Sequence, residues 1–130
     1  MSTTFSGPVI SQNGFQGDVT GNTTGNVTGV LTGRVVGTVQ SLSGAGAVNL
    51  TTAITSLTTT GAAQALTLAN GTAGQFKTII HTVDGGSAVL TPTTKVGFTT
   101  ITFTNAGESA TLVYTSAGWA IAALNGAVAA

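Results

Sequence analysis

Glycine recurs at every fourth position between Gly17 and Gln40, and this spacing constrains the backbone more than any other feature of the sequence. The segment reads GDVTGNTTGNVTGVLTGRVVGTVQ, with mainly Val, Thr and Asn between the glycines. A four-residue period stays in phase with the two-residue alternation of a pleated strand. It does not suit a helix, where each glycine costs about 1 kcal/mol relative to Ala, nor collagen, which needs glycine at every third residue. The segment therefore predicts β structure.

The same repeat predicts an assembly. One face of the strand carries the glycines alternating with larger residues, and the apolar ones are Val19, Val27, Leu31, Val35 and Val39. A straight strand of this length would reach roughly 80 Å at about 3.3 Å per residue, and its backbone amides need partners. The chain can fold back, coil as a solenoid or pair with copies of itself, and a flexible Gly/Thr linker is a further alternative. We favour a homotrimeric, intertwined β-stalk with these five side chains on the trimer axis.

Residues 64–130 predict a compact all-β unit, a small sandwich or barrel. Six segments alternate apolar with polar residues between turn formers, a pattern typical of half-buried strands. They are QALTLA, FKTIIHTV, SAVLTP, TTITFT, SATLVYT and GWAIAAL. No segment predicts a helix.

The rest of the chain divides into an arm, the repeat and a connecting region. Residues 1–16 predict an extended N-terminal arm, whose apolar side chains are Phe5, Val9, Ile10 and Phe15. Residues 17–40 form the repeat. Residues 41–63 form a Thr- and Ala-rich connecting region, which contains a further strand with Val48, Leu50, Thr52 and Ile54 on one face.

The charge content is far below that of an ordinary soluble domain, which is about a quarter charged. The chain has no Cys and a net charge of zero; its six charged residues are Asp18, Arg34, Lys77, Asp84, Lys95 and Glu108. Three scattered basic residues argue against binding to nucleic acid or an anionic membrane. No stretch approaches the roughly 20 apolar residues of a membrane span. Low charge favours association between molecules, so we expect an assembled protein.

The residues that carry reactive chemistry do not form a recognisable site. His81 is the only histidine, so a metal site would need three copies of it at a trimer axis. Asp84 is close to His81 in sequence, but no Ser stands in a Gly-x-Ser-x-Gly elbow. The carboxylates of Asp18, Asp84 and Glu108 lie in separate zones and do not suggest an acid/base pair. The glycine series lacks the Gly-Lys-Ser/Thr ending of a phosphate-binding loop. We therefore expect no enzyme activity, no cofactor and no metal.

Aromatic side chains offer one alternative role, stacking on sugars. Strand alternation places Phe103 and Trp119 with apolar neighbours, which favours core packing. Phe98 lies beside Gly97 in a turn region and is the best candidate for an exposed contact.

The repeat and the C-terminal strands together carry a resemblance to a known group of proteins. The series GDVTGNTTGNVTG, preceded by TTFSGPVISQNGF, resembles the start of small virion proteins of tailed bacteriophages, particularly those of marine and cyanobacterial hosts. The stretch LTLANGTAGQFKTIIHTVDGGSAVLTP, followed by TTITFTNAGESATLVYTSAGWAIAALNG, is similar to a β-domain that accompanies it. The sequence departs from a clean xVTG repeat at Thr23, Val30 and Val36.

The resemblance implies a trimeric particle component. We expect a capsid decoration (cement) protein that stabilises the icosahedral head, with the apolar arm residues docking on the major capsid protein or another virion protein. The alternative is a head fibre or short tail fibre whose C-terminal domain binds a host receptor or glycan. Residues Met1 to Thr4 have neither the basic start nor the apolar run of a signal peptide. We therefore expect a complete product, made in the cytoplasm of a bacterial host and located on the capsid surface or tail.

Overall fold

The computed structural model describes residues 34–130, and this part of the chain is all-β, with ten strands and no helix. The arm and most of the glycine repeat lie outside the described residues. The strands are β1 (Val39–Ser43), β2 (Gly46–Val48), β3 (Ile54–Thr58), β4 (Gln64–Leu68), β5 (Phe76–Val83), β6 (Ala88–Pro92), β7 (Ile101–Phe103), β8 (Ser109–Thr115), β9 (Gly118–Asn125) and β10 (Val128–Ala129).

The strands form two mixed sheets of five strands each. Sheet A has the order β1-β3-β5-β8-β9, and sheet B has the order β10-β7-β6-β4-β2. In sheet A, β1, β3 and β5 are parallel to one another, while β8 and β9 are antiparallel to their neighbours. In sheet B, β2, β4 and β6 are parallel, while β7 and β10 are antiparallel to their neighbours.

The chain passes back and forth between the sheets. Each pair β1/β2, β3/β4 and β5/β6 places one strand in sheet A and the next in sheet B. These three pairs are successive coils, stacked by parallel pairing with the preceding coil. The antiparallel strands β7 to β10 then close the far side of both sheets. β1 and β2 of the first coil therefore stand at the outer edges of their sheets.

One hydrophobic core lies between the sheets. Alternate residues of each strand point inward, as a period of two requires. Sheet A contributes Leu57, Ile79, Ala110, Leu112 and Trp119, and sheet B contributes Val48, Leu66, Leu68, Ala88, Leu90, Ile101 and Phe103; all are buried. Burying apolar side chains stabilises a fold by about 25 cal/mol per Å², and both sheets share this interior.

All six segments named for residues 64–130 contain a strand. Phe103 and Trp119 point into the core, as the alternation of apolar and polar residues predicted. The same sheets also include β1, which begins in the last residues of the repeat, β2 and β3 from the connecting region, and a short last strand, β10, which the sequence pattern did not indicate.

The single strand expected through Val48, Leu50, Thr52 and Ile54 is wrong. The chain instead turns between β2 and β3, because the Asn49 side chain bonds to the backbone ahead of it. The Asn49 Oδ1 atom accepts from the Thr52 N–H at 3.1 Å and from the Thr52 hydroxyl at 2.7 Å. Such local bonds from Asn favour turns over strands. Ile54 consequently begins β3 with its side chain on the outside of sheet A.

Candidate functional site

Three of the site residues named from the sequence lie in the described part of the chain. The side chains of Val35 and Val39 are exposed, at 78 % and 55 % of their surface. Phe98 is half-buried and packs against the core, so only part of its ring faces solvent. The other axis residues (Val19, Val27, Leu31) and the docking residues (Phe5, Val9, Ile10, Phe15) lie outside the described residues.

The outer face of sheet A carries apolar and hydroxyl side chains and no charge. Its apolar members are Val39, Ile54, Phe76, Ile80 and Val113, which are exposed or half-buried. Ser and Thr stand between them, and pairs on neighbouring strands bond to each other through their hydroxyls at 2.8 to 3.1 Å. The only ionisable side chains of this sheet's β1, β3 and β5 strands point into the core. This face is therefore the candidate surface for association.

Phe76 is the largest exposed apolar side chain on that face, at 61 % exposure, and sequence reasoning favoured the core for most aromatic residues. The register explains the difference. β5 pairs with β8 so that Lys77 opposes Leu112 and Ile79 opposes Ala110. These residues point inward, so Phe76 must point outward. The segment FKTIIHTV has apolar residues in both phases, and its pattern alone gave no signal for the choice.

His81 lies in the core and bonds to Thr59. The ring atom Nε2 is 2.9 Å from the Thr59 hydroxyl, which also accepts from the Gly85 N–H at 2.8 Å and lies 2.9 Å from the Gly86 carbonyl. Thr59 has a single hydroxyl proton. If that proton goes to the Gly86 carbonyl, the His81 Nε2–H donates to Thr59, and all three bonds are satisfied. The His81 Nδ1 atom is buried and has no partner among the described residues.

The burial of His81 and Thr59 limits the metal-binding and catalytic roles that the sequence suggested for His81. His81 has no exposed surface and Thr59 has 2 %, so neither can meet a substrate or a neighbouring copy at an axis in this fold. The Asp84 carboxylate instead accepts from the Gly86 N–H at 2.9 Å within its turn. The pair positions a loop: the Thr59 hydroxyl fixes residues 85–86 against the end of β3.

Lys77 is the second buried ionisable group. Its Nζ atom donates to the Thr52 carbonyl and to the Thr52 hydroxyl, both at 2.9 Å, and lies 3.5 Å from the Asn49 Oδ1 atom. All three are uncharged oxygens, so no carboxylate offsets the loss of water. Burial consequently lowers the pKa of Lys77 from 10.5 to about 8. The ammonium holds the β2–β3 turn against the core.

Glu108 secures the turn between β7 and β8. Its carboxylate accepts from the Thr104 N–H at 2.6 Å and from the Asn105 side-chain amide at 3.0 Å. The bond from the Thr104 backbone holds the pKa of Glu108 below its usual value, and desolvation opposes this shift in part. Bonds to the charged form have this effect generally. The residue serves the turn, and no second carboxylate accompanies it there.

Two aromatic side chains of β8 and β9, Tyr114 and Trp119, pack together. Trp119 is fully buried, and its indole N–H donates to the Ala69 carbonyl at 2.8 Å. The Tyr114 ring contacts it edge to face, with centroids 5.1 Å apart. A sugar-binding platform built on Trp119 would therefore require the core to open.

Other kinds of site are absent from the described part of the chain. Residues 34–130 enclose no cavity and contain no group of three or more His, Cys, Asp or Glu residues that could hold a metal ion. Within the same residues, no helix has the length and apolar character needed to cross a membrane.

No known protein family matches the sequence. No curated protein is significantly similar to it.

Proposed function

We propose that this chain is a structural component of a tailed bacteriophage virion, a homotrimeric capsid decoration protein that stabilises the icosahedral head. The xVTG repeat supports the trimeric stalk, and the resemblance of the repeat and of the C-terminal strands supports the phage assignment. The major capsid protein, or another virion protein, is the proposed partner of the N-terminal arm.

The observation that carries this proposal is the uncharged outer face of sheet A. Val39 and Phe76 expose more than half of their surface there, and Val35 is exposed just before β1. A solvated face is normally rich in charged residues, whereas this one has none. Apolar side chains among hydroxyl groups suit burial against another protein, because no charge has to be desolvated.

The proposed mechanism is stabilisation by mass action. A protein that binds the assembled lattice and not its dissociated subunits lowers the free energy of the lattice by an amount set by its concentration and affinity. An all-β trimer suits the three-fold positions of an icosahedral shell. In this proposal the residues Phe5, Val9, Ile10 and Phe15 dock on the shell, and the described unit faces outward.

The alternative, a fibre with a glycan-binding C-terminal unit, finds less support in the side chains. Trp119 is buried and Phe98 is partly covered by the core, which leaves Phe76 as the most exposed aromatic ring within residues 34–130. Copy number separates the two functions: decoration predicts hundreds of copies per particle, and a fibre predicts a few to a few dozen. Quantitative mass spectrometry of purified particles measures this number.

Assembly of the isolated chain is tested by placing charges on the proposed axis. Replacing Val27 and Leu31 together with Asp should abolish the three-copy species, because the new carboxylates would be buried near the axis without partners. Thr28→Asp, on the opposite face of the repeat, is the matched control and should assemble. Native mass measurement reports the result. Normal assembly of the double variant would place those side chains in solvent and remove them from the axis.

Docking is tested on the particle itself. Purified virions labelled at either end of the chain should show the N-terminal label covered and the C-terminal label accessible in cryo-electron microscopy. An N-terminal arm that is fully exposed on the particle would remove its docking role.

A further inference from the structure

Within residues 34–130, β1 has one backbone edge that pairs with no other strand. The Ile54 N–H donates to the Thr38 carbonyl at 3.1 Å and the Gly44 N–H donates to the Thr58 carbonyl at 2.9 Å. Backbone groups of successive residues point to opposite sides of a strand. Even-numbered residues of β1 therefore face β3, and Val39, Ser41 and Ser43 direct their N–H and C=O groups away from it. No strand among the described residues lies on that side.

At the far end of sheet A, the edge strand β9 is covered at its start only. The segment preceding Phe98 crosses the start of β9, where the Trp119 N–H donates to the Thr94 carbonyl and the Val96 N–H donates to the Trp119 carbonyl, both at 2.9 Å. In sheet B the edge strands are short, with three residues in β2 and two in β10. Proteins commonly protect edges by covering or shortening them. The five-residue edge of β1 carries no charged side chain, and none of the described residues covers it.

We propose that the open edge of β1 is where a second copy of this chain adds a strand, and that this strand packs beside Val39 on the outer face. The inference rests on the proposed homotrimer and locates one of its contacts in the folded unit. Added strands bind through backbone hydrogen bonds and gain specificity from alternate side chains. Val39 lies on β1 itself and faces Ile54 of β3 on its other side, so a side chain of the added strand would pack against Val39 from the open side.

Two features favour a second copy over a different partner. The edge strand β1 and the outer face of sheet A carry no ionisable side chain, so two copies can meet at these surfaces without charge repulsion. The sequence also supplies a strand that needs a partner: the repeat would span roughly 80 Å if extended at about 3.3 Å per residue, whereas β1 spans about 17 Å on the same scale. A segment of this repeat in a second copy is therefore long enough to pair along the whole edge of β1.

Ser41→Pro tests the edge without touching the pairing to β3. Proline lacks a backbone N–H, and it is tolerated on an edge strand where that N–H faces solvent. Ser41 belongs to the outward-directed set, so the variant should fold but lose the added strand. Ser41→Ala keeps the N–H and is the control. By native mass measurement, Ser41→Pro should shift from three copies to one, and Ser41→Ala should remain a trimer.

The outcomes separate this inference from the proposed function. A wild-type chain that is monomeric would refute the trimer itself. A wild-type trimer that Ser41→Pro leaves intact would overturn only the edge contact. If the proline variant does not fold, amide exchange in the wild type decides: the Ser41 amide should be protected in the trimer and lose that protection in the dissociated chain. Rapid exchange in the trimer, or equal protection in both states, would overturn the inference.

Discussion

Replacing Lys77 with Met should remove most of the alkaline pH dependence of stability. In the folded protein, burial lowers the pKa of Lys77 from 10.5 to about 8. In the unfolded chain the side chain is hydrated and keeps its ordinary pKa. Between these values the unfolded chain holds a proton that the folded protein has released, so the free energy of unfolding rises with pH.

The size of the effect follows from the same two values. At about 1.4 kcal/mol per pKa unit, the rise in the free energy of unfolding is on the order of 2–3 kcal/mol, most of it between about pH 7 and about pH 10. Lys77→Met has no proton to release at this position and retains most of the buried volume. The stability difference between wild type and Lys77→Met should therefore change by about this amount in favour of the wild type as pH rises.

Urea unfolding, followed by circular dichroism across this pH range, measures the effect. Lys95→Met is the control and should follow the wild-type curve, because it retains Lys77. Wild-type and Lys77→Met curves that run parallel would refute the reasoning, since they would mean that the Lys77 ammonium is as well solvated in the folded protein as in the unfolded chain.

Four further substitutions test the local structure. Gly86→Ala should prevent stable folding, because a Cβ there would lie 2.4 Å from the Gly61 carbonyl carbon at a φ of 140°. Gly107 also has a positive φ but has open space around it. Gly107→Ala should therefore lower the free energy of unfolding by only about 1 kcal/mol, measured by thermal unfolding. Thr59→Val should lower the free energy of unfolding by about 2–3 kcal/mol in urea, because it leaves buried polar groups without their partner; an unchanged midpoint would show that water replaces the hydroxyl. Glu108→Gln should weaken the loss of stability on acidification. The lowered pKa of this carboxyl stabilises the folded protein at pH values above the unfolded-state pKa of about 4.5, and this stabilisation is lost as pH falls. Identical acid transitions of the two proteins would contradict this.

The C-terminal strands could be predicted from sequence because their environment is simple. Phe103 and Trp119 face one core, their neighbours face the surface, and the period of two follows directly. Turn formers such as the Asp84-Gly85-Gly86 run marked the ends. The all-β class was predicted on the same grounds.

The arrangement of the strands could not be predicted in this way. The alternation of apolar and polar residues predicts which residues share a face, but it does not predict whether a neighbouring strand is parallel. The three coils could therefore not be predicted from the pattern. The turn at Asn49 depends on one side chain competing with strand pairing, which a window of apolar periodicity does not detect. In β5, apolar residues in both phases concealed that Lys77 points inward and Phe76 outward. Contacts with Leu112 and Ala110 across the sheet decide that choice, and they are distant in sequence.

The measurement that tests the central claim most directly is the native mass of the full-length chain in solution. If the glycine repeat gains its hydrogen-bonding partners from other copies, as we propose, the chain forms a species of three copies that persists on dilution. A folded single chain, stable over the same range of concentration, would contradict it.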